Sequence, residues 1–202
     1  MRATSALASW VFRLLAVIVV SACLCVGQAV NIRLAHDSSA EQQAKEQLER
    51  LLKQHDTSKY TFTRDVIIEE RVIPHSHPVL TLNTRHLKQN DEAPSAYLHE
   101  QIHWFLTGRQ QQTEAAEVEL RKMYPNLPVG GDEGAQDLES DYLHLIVCEL
   151  EREADQQLLG ADRTDSVMQF WVNDHYKWVY CTVIEDHANI QDVVKRHSLE
   201  IT

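Results

Sequence analysis

Cysteine is scarce where a stapled scaffold would need it. Of four cysteines in 202 residues, Cys23 and Cys25 fall in an apolar N-terminal segment, leaving Cys148 and Cys181 for the rest. Two thiols do not make a disulfide scaffold. In an oxidising compartment they either pair or stay buried and free, and Cα separation, which sequence does not give, decides between the two. Basic charge is scarce as well, with 19 Lys and Arg against 30 Asp and Glu, for a net charge of −11. That balance argues against a phosphate-tracking surface, so nucleic acid is not an expected partner. No internal repeat or low-complexity tract occurs. The length and the 44% hydrophobic content fit one compact domain that can bury a core without help from metal or disulfides.

Long apolar sequence is confined to the N-terminus. Arg2 and Arg13 precede the run from Leu14 to Val26, and Gly27 and Ala29 follow. This is the charge, apolar core and small-residue order of a secretory signal. Within the run, Val20-Ser21-Ala22-Cys23 resembles a bacterial lipobox, which would make Cys23 the lipid-modified first residue of a mature lipoprotein. A third reading keeps Trp10 to Ala29 as an uncleaved membrane anchor. All three place residues 30–202 outside the cytoplasm as one domain, secreted, periplasmic or membrane-anchored, and leave residues 1–29 out of the fold.

Ser38 and Ser39 predict a helix cap, with the helix running to about His55 and Leu48, Leu51 and Leu52 on one face. Strand-like sequence follows. Tyr60 to Asp65 alternates, Val66 to Ile73 is β-branched, and Val79 to Thr84 alternates again after a turn at Pro74 to Pro78, which predicts a small antiparallel or mixed sheet. Helical signals dominate from Pro94 onward. They predict a helix ending at Gly108, another over about 113–124, a Pro/Gly loop over 125–134, a long helix from about Asp137 to Leu159 and a helical region over about 166–186. A short tail helix near Asp192 is also expected. The fold class is therefore α+β, a small sheet followed by a mostly helical C-terminal half.

Eleven histidines are many for this length. Two of them stand in His99-Glu100-Gln101-Ile102-His103. On a helix the i, i+4 spacing brings both imidazoles to one face, where a single metal ion can reach them, and Glu100 projects from the flank of that face. A site of this kind needs a third protein ligand, and the long helix offers two. Its apolar stripe runs through Leu143, Val147, Leu150, Ala154 and Leu158. Glu151 lies about 60° from the centre of that stripe, while Glu149 and Glu153 fall towards solvent. Glu151 is thus the inward-looking acid and the expected third ligand. His144, two turns earlier on nearly the same azimuth, is the alternative ligand or a residue of the cleft wall. His75 and His77 flank a turn between prolines and are expected to be exposed.

The HExxH segment resembles the defining motif of the zincin metallopeptidases, and the pair Glu151 and Asp155 resembles the gluzincin pattern. Longer stretches, from Pro74 to Arg85, Leu98 to Trp104 and Tyr142 to Glu151, look like those of a family of zincin-like proteins, over about residues 60–185. The resemblance implies a zincin-like fold and Zn²⁺ as cofactor, without fixing specificity. It further implies a peptide or other amide substrate cleaved by a zinc-activated water with Glu100 as general base, Asp155 orienting a ligand histidine, and Val79 to Thr84 as an edge that pairs with extended peptide. Zincins commonly place a His or Tyr beside the oxyanion, which points to His175 and Tyr176. The competing reading is a non-catalytic metal-binding or interaction domain on the same scaffold. An intact Glu100 favours the enzyme, because a purely structural zinc has no use for it.

Overall fold

The computed structural model describes residues 29–135 and 137–202, so the targeting readings for residues 1–28 lie outside the described residues. Among the described residues, no helix is long and apolar enough to cross a membrane. The elements run β1 (Asn31–Leu34), α1 (Ser39–Gln54), a 3₁₀ turn (Ser58–Tyr60), β2 (Asp65–Ile68), β3 (Leu80–Leu82), α2 (Glu92–Thr107), α3 (Gln110–Met123), α4 (Leu138–Leu159), α5 (Ala161–Val172) and α6 (Lys177–Arg196). The class is α+β, with a three-stranded sheet ahead of a mostly helical half.

The sheet is parallel throughout, in the order β1-β2-β3, which corrects the antiparallel or mixed expectation. β1, a strand the sequence pattern did not announce, enters first and α1 carries the chain over to β2, as a parallel pair requires. The register stacks Ile32, Val66 and Leu80 in one row and Leu34, Ile68 and Leu82 in the next. Successive side chains in a strand alternate between faces, so both rows lie on one face. There they pack with Ala44 and Leu48 of α1 and Tyr97 of α2. Around the turn expected at Pro74 to Pro78, a single antiparallel bridge joins His75 to Thr81. Its upstream arm is a connecting strap, residues 69–79, rather than β2. Tyr60 to Arg64 forms no strand because the Gln101 amide takes its backbone groups, accepting from Phe62 N and Thr63 N (2.7 and 2.9 Å) and donating to Thr63 O.

α1 begins as expected. Ser38 caps it in a reciprocal box with Glu41. Glu41 is fully buried and also accepts from the backbone of His36 and Glu70, tying β1, α1 and the strap together. Burial opposes its ionisation, but these hydrogen bonds prevail and hold the carboxyl at about 2.

α4 is the central helix, contacted by α2, α3, α5 and α6. This enclosure overturns the expectation for Glu149, which lies fully buried, with Arg152 4.0 Å away. Burial pushes its carboxyl up to about 8. The single helical region expected over 166–186 is instead two helices, broken at 173–176, and α6 absorbs the expected tail helix while kinking at Asp186. Cys148 is buried, Cys181 half-buried, and both are free.

Candidate metal centre

α2 and α4 run antiparallel along a shared seam, as the order of their contacts shows. His103 faces His144, with ring centroids 5.2 Å apart, while His99 and Ser95 face Glu151. On α2 the four-residue steps from Ser95 to His99 to His103 put these side chains in one row. On α4, His144, Cys148, Glu151 and Asp155 follow the same three- and four-residue steps.

The ligand nitrogens of His99, His103 and His144 lie within 4.8 Å of one another. His99 Nε2 and His103 Nε2 are 3.3 Å apart. Two nitrogens bound tetrahedrally to zinc at about 2.0–2.1 Å would be separated by about 3.3 Å, so the spacing fits the ion the motif implies. His144 bonds through Nδ1 to the carbonyl of Ser140, one turn back, at 2.6 Å, which leaves Nε2 as its free ligand atom. The donor set fits zinc.

Glu151 meets the other edge of His99. Its Oε2 accepts from His99 Nδ1 at 2.9 Å and from Tyr180 Oη at 3.1 Å, and Oε1 accepts from Ser95 Oγ at 2.6 Å. Trp171 Nε1 in turn donates to Ser95 Oγ at 3.0 Å. A second grouping of ligand-type atoms, His99, Cys148 and Glu151, shares this edge. There the His99–Glu151 separation is that of a hydrogen bond, and burial pushes the Cys148 thiol up, away from the thiolate a metal needs.

The protonation pattern follows from these contacts. Burial would lower His99, but the Glu151 carboxylate overrides it and holds the imidazole well above its usual range. Burial, with His99 as neighbouring cation, drives His103 well below the usual range and His144 down to about 3. His103 and His144 therefore offer lone pairs at neutral pH. Glu100 is buried on the cleft wall, and burial pushes it up to about 7, against the pull of His99.

His99, Glu100, His103, His144 and Glu151 come together. Asp155 is buried one turn beyond Glu151, and neither of its oxygens has a hydrogen-bond partner among the described residues. The carboxylate that meets a histidine is Glu151. His175 and Tyr176 stand at the break between α5 and α6, on the wall of the same cleft. Tyr176 takes the left-handed conformation, φ +47°, and its ring lies 4.5 Å from that of His144. His175 Nδ1 is 2.8 Å from Asp174 Oδ2, and Asp174 is gripped by Arg85, arriving from the segment after β3. His75 and His77 are exposed, and His77 stacks on Trp104.

Sequence reasoning gave no role in the site to Ser95, Trp171, Asp174, Arg85 or Tyr180. Ser95 was within reach, one helical turn before His99. Arg85 gave no local signal.

The cleft has a volume of about 880 Å³. Its far wall is the strap, and its rim is the loop over 130–135, whose carbonyls at Asp132 and Glu133 accept from the first backbone N–H groups of α6. Gly134 leaves no room for a side chain, since a Cβ would stand 2.7 Å from Pro128 O and 2.8 Å from the Asp141 carboxylate. In comparisons with family models, curated proteins and solved structures, no match to this chain was found.

Proposed function

We infer that the protein is a zinc-dependent hydrolase acting on an amide bond, most simply a peptide, in an extracytoplasmic compartment. The observation that carries this reading is the convergence of three imidazoles, their ligand nitrogens within 4.8 Å of one another, beside a buried glutamate on a cleft wall. His99, His103 and His144 hold the metal, and Glu151 acts on His99. On this assignment the scaffold is zincin-like, with α2 as the motif helix. Its departure from the gluzincin pattern is that the α4 glutamate grips a ligand rather than binding metal.

Zinc at such a site supplies a Lewis acid that polarises a carbonyl and acidifies water. The chain's own groups do the rest. Glu151, fixed by Ser95 and Tyr180, directs His99 Nε2 into the cleft by holding Nδ1–H. Glu100, raised by burial to about 7, is suited to take a proton from the attacking water and pass it to the leaving amine. Asp174 fixes the ring of His175 by accepting from its Nδ1–H, and the hydroxyl of Tyr176, on the same cleft wall, is the group suited to donate towards a developing oxyanion. The charged, apolar and small-residue order of residues 2–29 supports export.

The deciding experiment compares wild type with Glu100→Gln, in zinc content and in digestion of a broad peptide library. Zinc content is expected to stay the same while cleavage falls about 10²–10⁴-fold. Equal chelator-sensitive cleavage by both would remove Glu100 as base. A zinc-loaded wild type that cleaves nothing would favour the non-catalytic metal-binding domain.

A further inference from the structure

The strap between β2 and β3 closes the sheet edge that an extended substrate would otherwise use. Its His75 exchanges both backbone hydrogen bonds with Thr81 of β3, at 2.8 and 3.0 Å. Asn83 Nδ2 donates to Val72 O at 3.0 Å and Trp104 Nε1 to Ser76 O at 2.8 Å, fastening the strap on either side. A ligand in the cleft therefore meets the strap in place of the β3 edge at Leu80 to Leu82, with Asn83 and Thr84 beside it. Two side chains stand out on this wall. Arg71 holds φ +63°, a conformation in which residues with a side chain are uncommon and which often marks function. Ile73 is 85% exposed, the most exposed of the large apolar residues among those described.

Charge distinguishes Arg71 further. Of the two arginines lining the cleft among the described residues, Arg85 is matched by Asp174. Arg71 has no ion pair or hydrogen bond among the described residues, although the chain carries a net charge of −11. An unmatched arginine in an acidic protein, exposed on a cleft wall whose strap is fastened at three points, leaves a guanidinium open to a carboxylate. A guanidinium fork binds that group in bidentate fashion.

We propose that Arg71 selects acidic substrates, a peptide or other amide whose carboxylate pairs with the guanidinium while an apolar neighbour rests on Ile73. This rests on the hydrolase reading above. Both a Glu or Asp side chain and a free chain end supply the carboxylate.

The test measures binding rather than turnover, using the full chain loaded with zinc and a series of peptide hydroxamates anchored on the metal. The series carries Glu, Gln or Lys at each position flanking the anchor, with the C-terminus free or amidated. At one position Glu is expected to bind about tenfold tighter than Gln, and Lys more weakly than either. An advantage of the amidated Glu peptide assigns the side chain, and an advantage confined to free C-termini assigns the chain end. The preference should vanish in Arg71→Gln and in Arg71→Gly, which suits the backbone conformation, and should turn towards Lys in Arg71→Glu, all at unchanged zinc content. Equal binding of Glu, Gln and Lys peptides by zinc-loaded wild type overturns the role of Arg71 and leaves the hydrolase reading standing. A wild type that holds no zinc and binds no hydroxamate overturns both.

Discussion

His99 is held from both edges of its ring, by Glu151 at Nδ1 and by His103 at Nε2. In the metal-free protein the Glu151 carboxylate keeps this ring protonated, so metal uptake has to displace that proton. His103 and His144 are already neutral and lose none. Zinc affinity should accordingly rise with pH, by about tenfold per unit while one proton is displaced. Calorimetric zinc titrations between pH 5.5 and 7.5 would check this, and a flat profile would contradict it. Glu151→Gln should weaken zinc by about 10–100-fold without abolishing it, as expected for a group acting on a ligand. His144→Ala should abolish stoichiometric binding. At this scale the sequence made His99, Glu100 and His103 legible, because i, i+4 spacing is a local property. It showed that Glu151 and His144 look inward, but the atom each meets depends on the rise and rotation of α4 against α2, which no periodicity encodes.

The helices differ in how far their surroundings could be read. α1 has one wet face, so its cap and apolar stripe were evident. α4 is enclosed on all sides, so the rule that charge marks the solvent side fails at Glu149. Two buried carboxylates then act on stability in opposite pH windows. Glu41 is held at about 2, below its ordinary 4.5, so the stability it lends is present above 4.5 and is lost as pH falls towards 2. Glu149 is raised from 4.5 to about 8, so the fold is favoured below 4.5 and loses that advantage as pH climbs to 8. Glu149→Gln should therefore raise stability at pH 8 by about 1–3 kcal/mol, seen as several degrees in Tm, and should flatten the thermal stability profile between pH 5 and 8. A variant less stable than wild type at pH 8 would contradict this. The parallel sheet escaped sequence reasoning for a related reason. β1 is four residues long, and its pairing is set by a crossover through α1 rather than by any nearby turn.

The molecule joins a sheet half, with α1 and the strap, to a bundle of five helices, and the cleft lies where they meet. The ion pair between Arg85, after β3, and Asp174, between α5 and α6, spans that junction. Only the whole fold brings together α2, α4, the break at 173–176 and the strap, which is why a composition rich in histidine motivated a metal hypothesis without giving the site its shape. The central claim is that three imidazoles, with Glu151 outside the coordination sphere, hold one zinc ion per chain. Anomalous diffraction across the zinc K edge, on crystals of protein incubated with zinc, tests it most directly. The account predicts one peak per chain, about 2.0–2.1 Å from Nε2 of His99, His103 and His144, with Glu151 still bonded to Nδ1 of His99. No peak, or a peak coordinated by Glu151 or Cys148 in place of His144, would contradict it.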